Sequence, residues 1–295
     1  MRHLPALLVA LAALGQPLRA ETPRPDAAAF FEDFTEGLDR GRWYVSDGWT
    51  NGDWQDCHWS AGAVRVQDGT LTLFHIPAPE GGDRPAQCGE VQTRARLHHG
   101  TFEARIRTPR APGLNAAVFT YIGPVHGAPH DEIDIEILTR DPGAMTMNTY
   151  VAGKPRNGGA APASPPFDED FHTVAFRWEP EGITWFLDGQ EVHRTAPGSP
   201  LPEHPQKLYL SFWSTATLTD WLGKQGPREG PLGGLAAGRR ELLERVEHEL
   251  GSPGAGGAPA ADDGDEAAGR ERDHEHDRER QRRLAHQQRA DDRAH

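Results

Sequence analysis

From about Phe30 to Trp213 the chain repeats one pattern, short runs of alternating apolar and polar residues cut by turn residues. A period of two is what a strand with one buried face requires. "AVRVQDGTLTLFHI" reads as a hairpin: Val64 and Val66 alternate with polar residues, Asp68-Gly69 makes the turn, and Leu71 and Leu73 resume the alternation. "GTFEARIRT" alternates Phe102, Ala104 and Ile106, while "HTVAFRW" and "GITWFLDGQEVHR" give further strands with a second Asp-Gly turn at Asp188-Gly189. "KLYLSFWS" offers one more strand, and no segment before residue 238 has helical periodicity. The expected fold class is an all-β antiparallel sandwich.

A chain of 295 residues with 36% hydrophobic content can bury a sizeable core. Its formal net charge of −13 argues against a partner held through phosphates, so no nucleic acid is expected. Residues 1–20 combine a basic start at Arg2 and His3, an apolar run too short to span a bilayer, and the small residue Ala20 before "ETPRPD". This pattern predicts a cleaved signal peptide, a secreted (periplasmic or extracellular) protein, and no membrane association after cleavage; an N-terminal membrane anchor is the alternative. An oxidising compartment permits a disulfide, and Cys57 and Cys88 are the only cysteines. Two buried free thiols are the alternative.

"HDEIDIEIL" places Glu132, Asp134 and Glu136 at alternating positions among Ile133, Ile135 and Ile137. In a strand the acids project from one face and the isoleucines from the other. An ordinary solvated outer face has the same pattern. The sharper reading is catalytic, because crowded carboxyls raise each other's pKa and are costly to keep without a use. Cα atoms four residues apart lie about 13 Å apart along a strand, and leaning side chains on a curved sheet can close that toward the roughly 5 to 5.5 Å of a retaining glycosidase.

"DEIDIE" resembles the active-site signature of glycoside hydrolase family 16. The resemblance runs over roughly residues 30 to 223 and includes "TYIGPVHGAPHDEIDIE", "FHTVAFRWEPEGITWFLDG" and "SFWSTATLTDWLG", which are similar to the bacterial lichenase branch. It implies a concanavalin-like jelly roll whose curved concave sheet forms a glycan cleft. It also implies Glu132 as nucleophile, Asp134 as assisting acid and Glu136 as general acid/base. The motif is E-x-D-x-E without the extra residue that laminarinase-like members insert as a bulge, and that regularity argues against a laminarinase. His130 stands where bacterial lichenases usually carry Trp, and a His-Asp pair resembles the xyloglucan-active and exopolysaccharide-processing members.

A glycan cleft should mix aromatic faces with polar side chains. Matched by motif to the family, Asn51, Trp54, Glu90, Tyr121, Asn148, Tyr150, Trp213 and Trp221 fall at substrate-binding positions, with His130 beside them. The family's disulfide falls on Cys57 and Cys88. Trp178, Trp185 and Phe186 read as core. No His pair has zincin spacing and there is no cysteine cluster, so no catalytic metal is expected and no cofactor is required. The resemblance implies a structural Ca²⁺ held by backbone carbonyls plus an Asp from the final strand, and no such strand is recognisable beyond residue 232.

The glycosidase domain is therefore expected to span 21–232. From residue 233 the composition turns to Gly, Ala and Pro and then to mixed Asp, Glu, Arg and His without aromatics, a segment expected to be disordered. A solvated tail, a surface- or glycan-interacting tail, and a frame-shifted end replacing the true last strand are three readings of it. Three functions are open at this stage. They are a monomeric endo-hydrolase of β-1,3/1,4-linked polysaccharide, a xyloglucan-type transglycosylase, and a non-catalytic glycan-binding sandwich.

Overall fold

In a computed structural model of the chain, residues 30–226 and 231–238 are described; the signal peptide expected over 1–20 and the tail from 239 onward lie outside them. Contacts divide the chain after Phe31, and the fold below is that of the unit beginning at Glu32. Its strands are β1 (Trp43–Val45), β2 (Cys57–Trp59), β3 (Val64–Gln67), β4 (Thr70–Pro77), β5 (Ala86–Thr93), β6 (Gly100–Arg107), β7 (Leu114–Ile122), β8 (Asp131–Leu138), β9 (Ala144–Val151), β10 (Lys154–Pro162), β11 (His172–Glu179), β12 (Gly182–Leu187), β13 (Gln190–Arg194), β14 (Lys207–Ser214) and β15 (Leu232–Gly238).

Hydrogen bonding runs β10-β9-β8-β7-β14-β5-β4-β15-β6-β11-β12-β13, with β1 and β2 on β5 and β3 on β4. All pairings are antiparallel except β2 with β5. Strand β5 is the corner: Gly89–Gln92 pair with β14, and Ala86–Cys88 pair with β4. The far ends of the path approach each other where His193 Nε2 on β13 lies 3.0 Å from the carbonyl of Asn157 on β10. The sheet is thus curved nearly into a barrel, in keeping with the antiparallel sandwich expected from the alternation and the jelly roll that the family resemblance implies.

The isoleucines of β8 are fully buried, as are Ile106, Phe176, Trp178, Ile183 and Trp185 of β6, β11 and β12. Trp185 also donates its Nε1–H to the Asp134 carbonyl at 3.1 Å, which ties the acid-bearing strand to the sheet beneath it. Asp68-Gly69 and Asp188-Gly189 all take positive φ, as two-residue hairpin turns demand. Phe186, expected in the core, is instead only half-buried and lies under the Arg177 guanidinium, 5.4 Å from the ring centroid. Adjacent residues of a strand face opposite sides, so Trp185 and Phe186 could not both point inward.

The closing strand corrects the expected domain boundary at 232. Strand β15 lies between β4 and β6, pairing Ala236 with Thr72 and Arg107, and Ala237 with Leu71 and Ile106. Leu235 is fully buried and Ala237 nearly so. A Cβ added to Gly234 would fall within the Phe212 ring, so the small residues that imitate low-complexity chain are what this passage admits.

Cys57 and Cys88 form the expected disulfide, closing a separation of 31 residues between β2 and β5. Such a loop contributes about 3 kcal/mol, chiefly by restricting the unfolded chain.

Candidate active site

Strand β8 sets the site. Its neighbours are in register without a shift on both sides: Glu132 pairs with Tyr121 of β7 and Tyr150 of β9, Asp134 with Phe119 and Asn148, and Glu136 with Ala117 and Thr146. Directly paired residues share a face, so this row is one surface. Glu132 and Asp134 are buried at 1% and 3% exposure, while Glu136 is partly open to solvent.

The two glutamates have different partners. His130 Nε2 lies 2.7 Å from Glu132 Oε2. Asn115 donates from Nδ2 to Glu136 Oε1 at 2.8 Å. The His130 ring stacks on Tyr150 at 5.0 Å and 16°, and meets Tyr121 edge-on at 5.2 Å. Asn148 Nδ2, Asn115 Oδ1 and Ser211 Oγ are buried without a hydrogen-bond partner among the described residues. Buried polar atoms of this kind are costly unless something completes them, and sugar hydroxyls have the matching chemistry.

The floor continues across β14 and β5. Ser211 pairs with Ala117 on one side and Glu90 on the other, and Tyr209 pairs with Phe119 and Gln92. The small Ala117 and Ser211 leave the floor low between Glu136 and Glu90, which lie three strand spacings apart, roughly 14 Å. That reach suits an extended ligand lying across the strands.

Glu90 is 4% exposed and accepts from Ser46 Oγ at 2.5 Å; Gln92 Nε2 donates to the same hydroxyl at 3.3 Å, and Lys207 Nζ donates to Gln92 Oε1 at 3.1 Å. Burial pushes the Glu90 carboxyl up to about 8, against the lowering effects of the Ser46 hydrogen bond and the Lys207 charge. Because the folded chain holds this proton where the unfolded chain, near 4.5, has released it, the contribution is full below about pH 4.5 and is lost as pH rises through about 8. It amounts to a few kcal/mol. Glu90→Gln cannot ionise, so its melting temperature is expected to exceed wild type above about pH 8 and to converge with it near about pH 5. Melting curves with the same pH dependence for both proteins would reject this account.

Beyond the Glu136 end stands a tryptophan wall. Trp54 meets Trp213 edge-on at 4.9 Å and 74°, Trp213 lies 6.1 Å from Trp221, and all pack with the Cys57–Cys88 bridge. Trp221 is brought there by a single helical turn, α1 (Thr219–Leu222). Trp54 Nε1 is buried without a partner among the described residues. Asn51, expected to bind sugar, uses its Oδ1 to accept from Trp59 Nε1 at 3.2 Å.

The structure therefore gathers Glu90, Tyr121, His130, Asn148 and Tyr150 on the floor with the three acids, and Trp54, Trp213 and Trp221 in the wall. Sequence reasoning missed Asn115, Phe119, Tyr209, Ser211, Gln92, Lys207 and Ser46. The parity of β7 could have found two of them, since Asn115 and Phe119 lie an even number of residues from Tyr121. The closing strand carries only Leu, Gly and Ala, so it offers no acid to a structural Ca²⁺, and the residues present do not fit that ion. No group of three or more His, Cys, Asp or Glu among the described residues could hold a metal ion.

The model of the family "Glycosyl hydrolases family 16" matches residues 51–229. The chain is 42% identical to the endo-1,3-1,4-beta-glycanase ExoK of Rhizobium meliloti over 193 residues, 65% of this chain and 71% of that protein. Among solved structures, a lichenase from a mouse hindgut metagenome is similar at 33% identity with a TM-score of 0.62, covering 68% of this chain and 94% of that one. The Bacillus licheniformis beta-glucanase is similar at 28% identity with a TM-score of 0.64, covering 72% and 98%.

Proposed function

The chain belongs to glycosyl hydrolases family 16 and is a glycoside hydrolase of the endo-1,3-1,4-β-glucanase type, and from that premise we propose an exported, monomeric, retaining enzyme that cuts β-1,3/1,4-linked glucan or a related bacterial exopolysaccharide. One observation carries the reading: three acids share one face of a strand whose other face is fully buried, and the outer two have different hydrogen-bond partners.

In the first displacement a Glu132 oxygen attacks the anomeric carbon, forming a C–O bond as the glycosidic C–O bond breaks. Glu136 protonates the departing oxygen, and Asn115 orients the carboxyl that does so. In the second, Glu136 takes a proton from water, the water oxygen bonds to the anomeric carbon, and the electron pair of the ester bond returns to Glu132. Asp134, between them and paired with Asn148, orients both. Asn51, Trp54, Glu90, Tyr121, His130, Asn148, Tyr150, Trp213 and Trp221 are assigned to the cleft, with Tyr121 and the tryptophans offering faces to sugar rings. The unshifted register of β8 supports a mixed-linkage specificity over a laminarinase one. The signal-like residues 1–20 support export.

Digests of lichenan, xyloglucan, laminarin and an acidic bacterial exopolysaccharide test this. Lichenan or the acidic polymer is expected to be cut from within, with every product shorter than its parent. A folded protein that cuts neither sinks the substrate assignment. Products longer than the parent would identify a transglycosylase instead.

A further inference from the structure

At position 130, where bacterial lichenases usually carry Trp, this chain sets an imidazole against the Glu132 carboxyl. A carboxylate offers only acceptors, so the imidazole nitrogen facing Glu132 Oε2 at 2.7 Å carries its proton toward it. The ring has little freedom to leave. Its side chain is 13% exposed, stacked on Tyr150 and edged by Tyr121. Its own carbonyl accepts from the Gly153 N–H at 2.8 Å, so backbone and side chain are both fixed.

Resting on the nucleophile role given to Glu132 above, we propose that His130 is a positioning residue, which acts on Glu132 and does not bind sugar. It holds Oε2 and so fixes the plane of the carboxylate, whose Oε1 attacks the anomeric carbon. In the glycosyl-enzyme Oε2 is the carbonyl oxygen of the ester, still within reach of the same donor. When water attacks, the C–Oε1 bond breaks and its electron pair returns to the carboxylate, whose recovered charge the Nε2–H stabilises. The donor thus acts in both steps. It fixes the angle of attack in the first and assists the leaving carboxylate in the second.

The test compares His130→Ala, His130→Asn and His130→Gln with wild type and Glu132→Gln, on whichever polymer of the panel the wild type cuts. Gln reaches about as far as the imidazole Nε2 and can donate there, whereas Asn stops short. His130→Ala and His130→Asn are expected to lower kcat by on the order of 10- to 100-fold with KM within about twofold, and His130→Gln to recover most of the loss. Melting temperatures close to wild type for the Asn and Gln pair keep the comparison valid if Ala unfolds the protein. A rise in KM with kcat unchanged would make His130 a sugar contact and overturn the proposal, as would equal activity of the Asn and Gln variants. Full activity of His130→Ala beside an inactive Glu132→Gln sinks the role of His130 alone. An active Glu132→Gln sinks the nucleophile assignment and this proposal with it.

Discussion

Glu132→Gln is expected to lower turnover of the polysaccharide by on the order of 10,000-fold or more, leaving the fold intact. The amide keeps the shape of the side chain and its room beside His130 and Tyr121, but has no charge to form the ester. Glu136→Ala is expected to give a different signature, because in the proposed mechanism the acid acts on the leaving group in one step and on water in the next. With an aryl glycoside whose leaving group needs no proton, the first step survives and the second is slowed, so a burst of released aglycone is expected ahead of a slow steady state. Azide, an anion that needs no general base and enters where the Glu136 charge has been removed, should restore turnover and give a glycosyl azide of retained configuration. Rapid-mixing kinetics on the two variants checks both. A burst from Glu132→Gln, or its absence from Glu136→Ala together with no effect of azide, would exchange or cancel the roles.

These outcomes depend on residues with unequal visibility in the sequence. The acids were legible because strand periodicity fixes which side chains share a face, and three isoleucines with no exposed surface leave the acids only the other side. Asp68-Gly69 and Asp188-Gly189 were legible because few residue pairs accept positive φ in succession. The Ala152-Gly153 turn between β9 and β10 has the same geometry, at φ 49° and 76°, and escaped notice because Ala is an uncommon occupant of that conformation.

The partners of the acids are set by register, a relation between strands distant in sequence that periodicity within one strand does not carry. Asn115 reaches Glu136 because β7 and β8 run antiparallel with Ala117 opposite Glu136. Ser211 and Glu90 become neighbours only because β14 lies beside β5, although 121 residues of chain separate those two positions, from 90 to 211. Composition misled where packing reverses its meaning. Gly and Ala read as loop or tail, yet between β4 and β6 they are what fits against Phe212.

Ending the chain after Pro231 is accordingly expected to abolish folding, whereas ending it after Arg240 should leave melting temperature and activity near those of the full chain. The shorter chain loses the buried Leu235, whose removal alone is worth about 2 to 5 kcal/mol by comparison with large-to-small core substitutions. It also parts β4 from β6, uncovering their backbone groups and the apolar face around Leu71, Leu73 and Ile106. Domains of this kind are stable by only about 5 to 15 kcal/mol, so the combined loss consumes most of that margin. Gly234→Val makes the same point without shortening the chain, since its side chain must displace the Phe212 ring whose neighbours Ser211 and Trp213 face the cleft. Circular dichroism and hydrolysis measured on the two truncations and the point variant decide the matter. If the chain ending at Pro231 melts and cuts polysaccharide like the full chain, β15 is dispensable; if it aggregates while the Arg240 chain is soluble and active, the glycine- and alanine-rich strand is what closes the sheet behind the acid-bearing face.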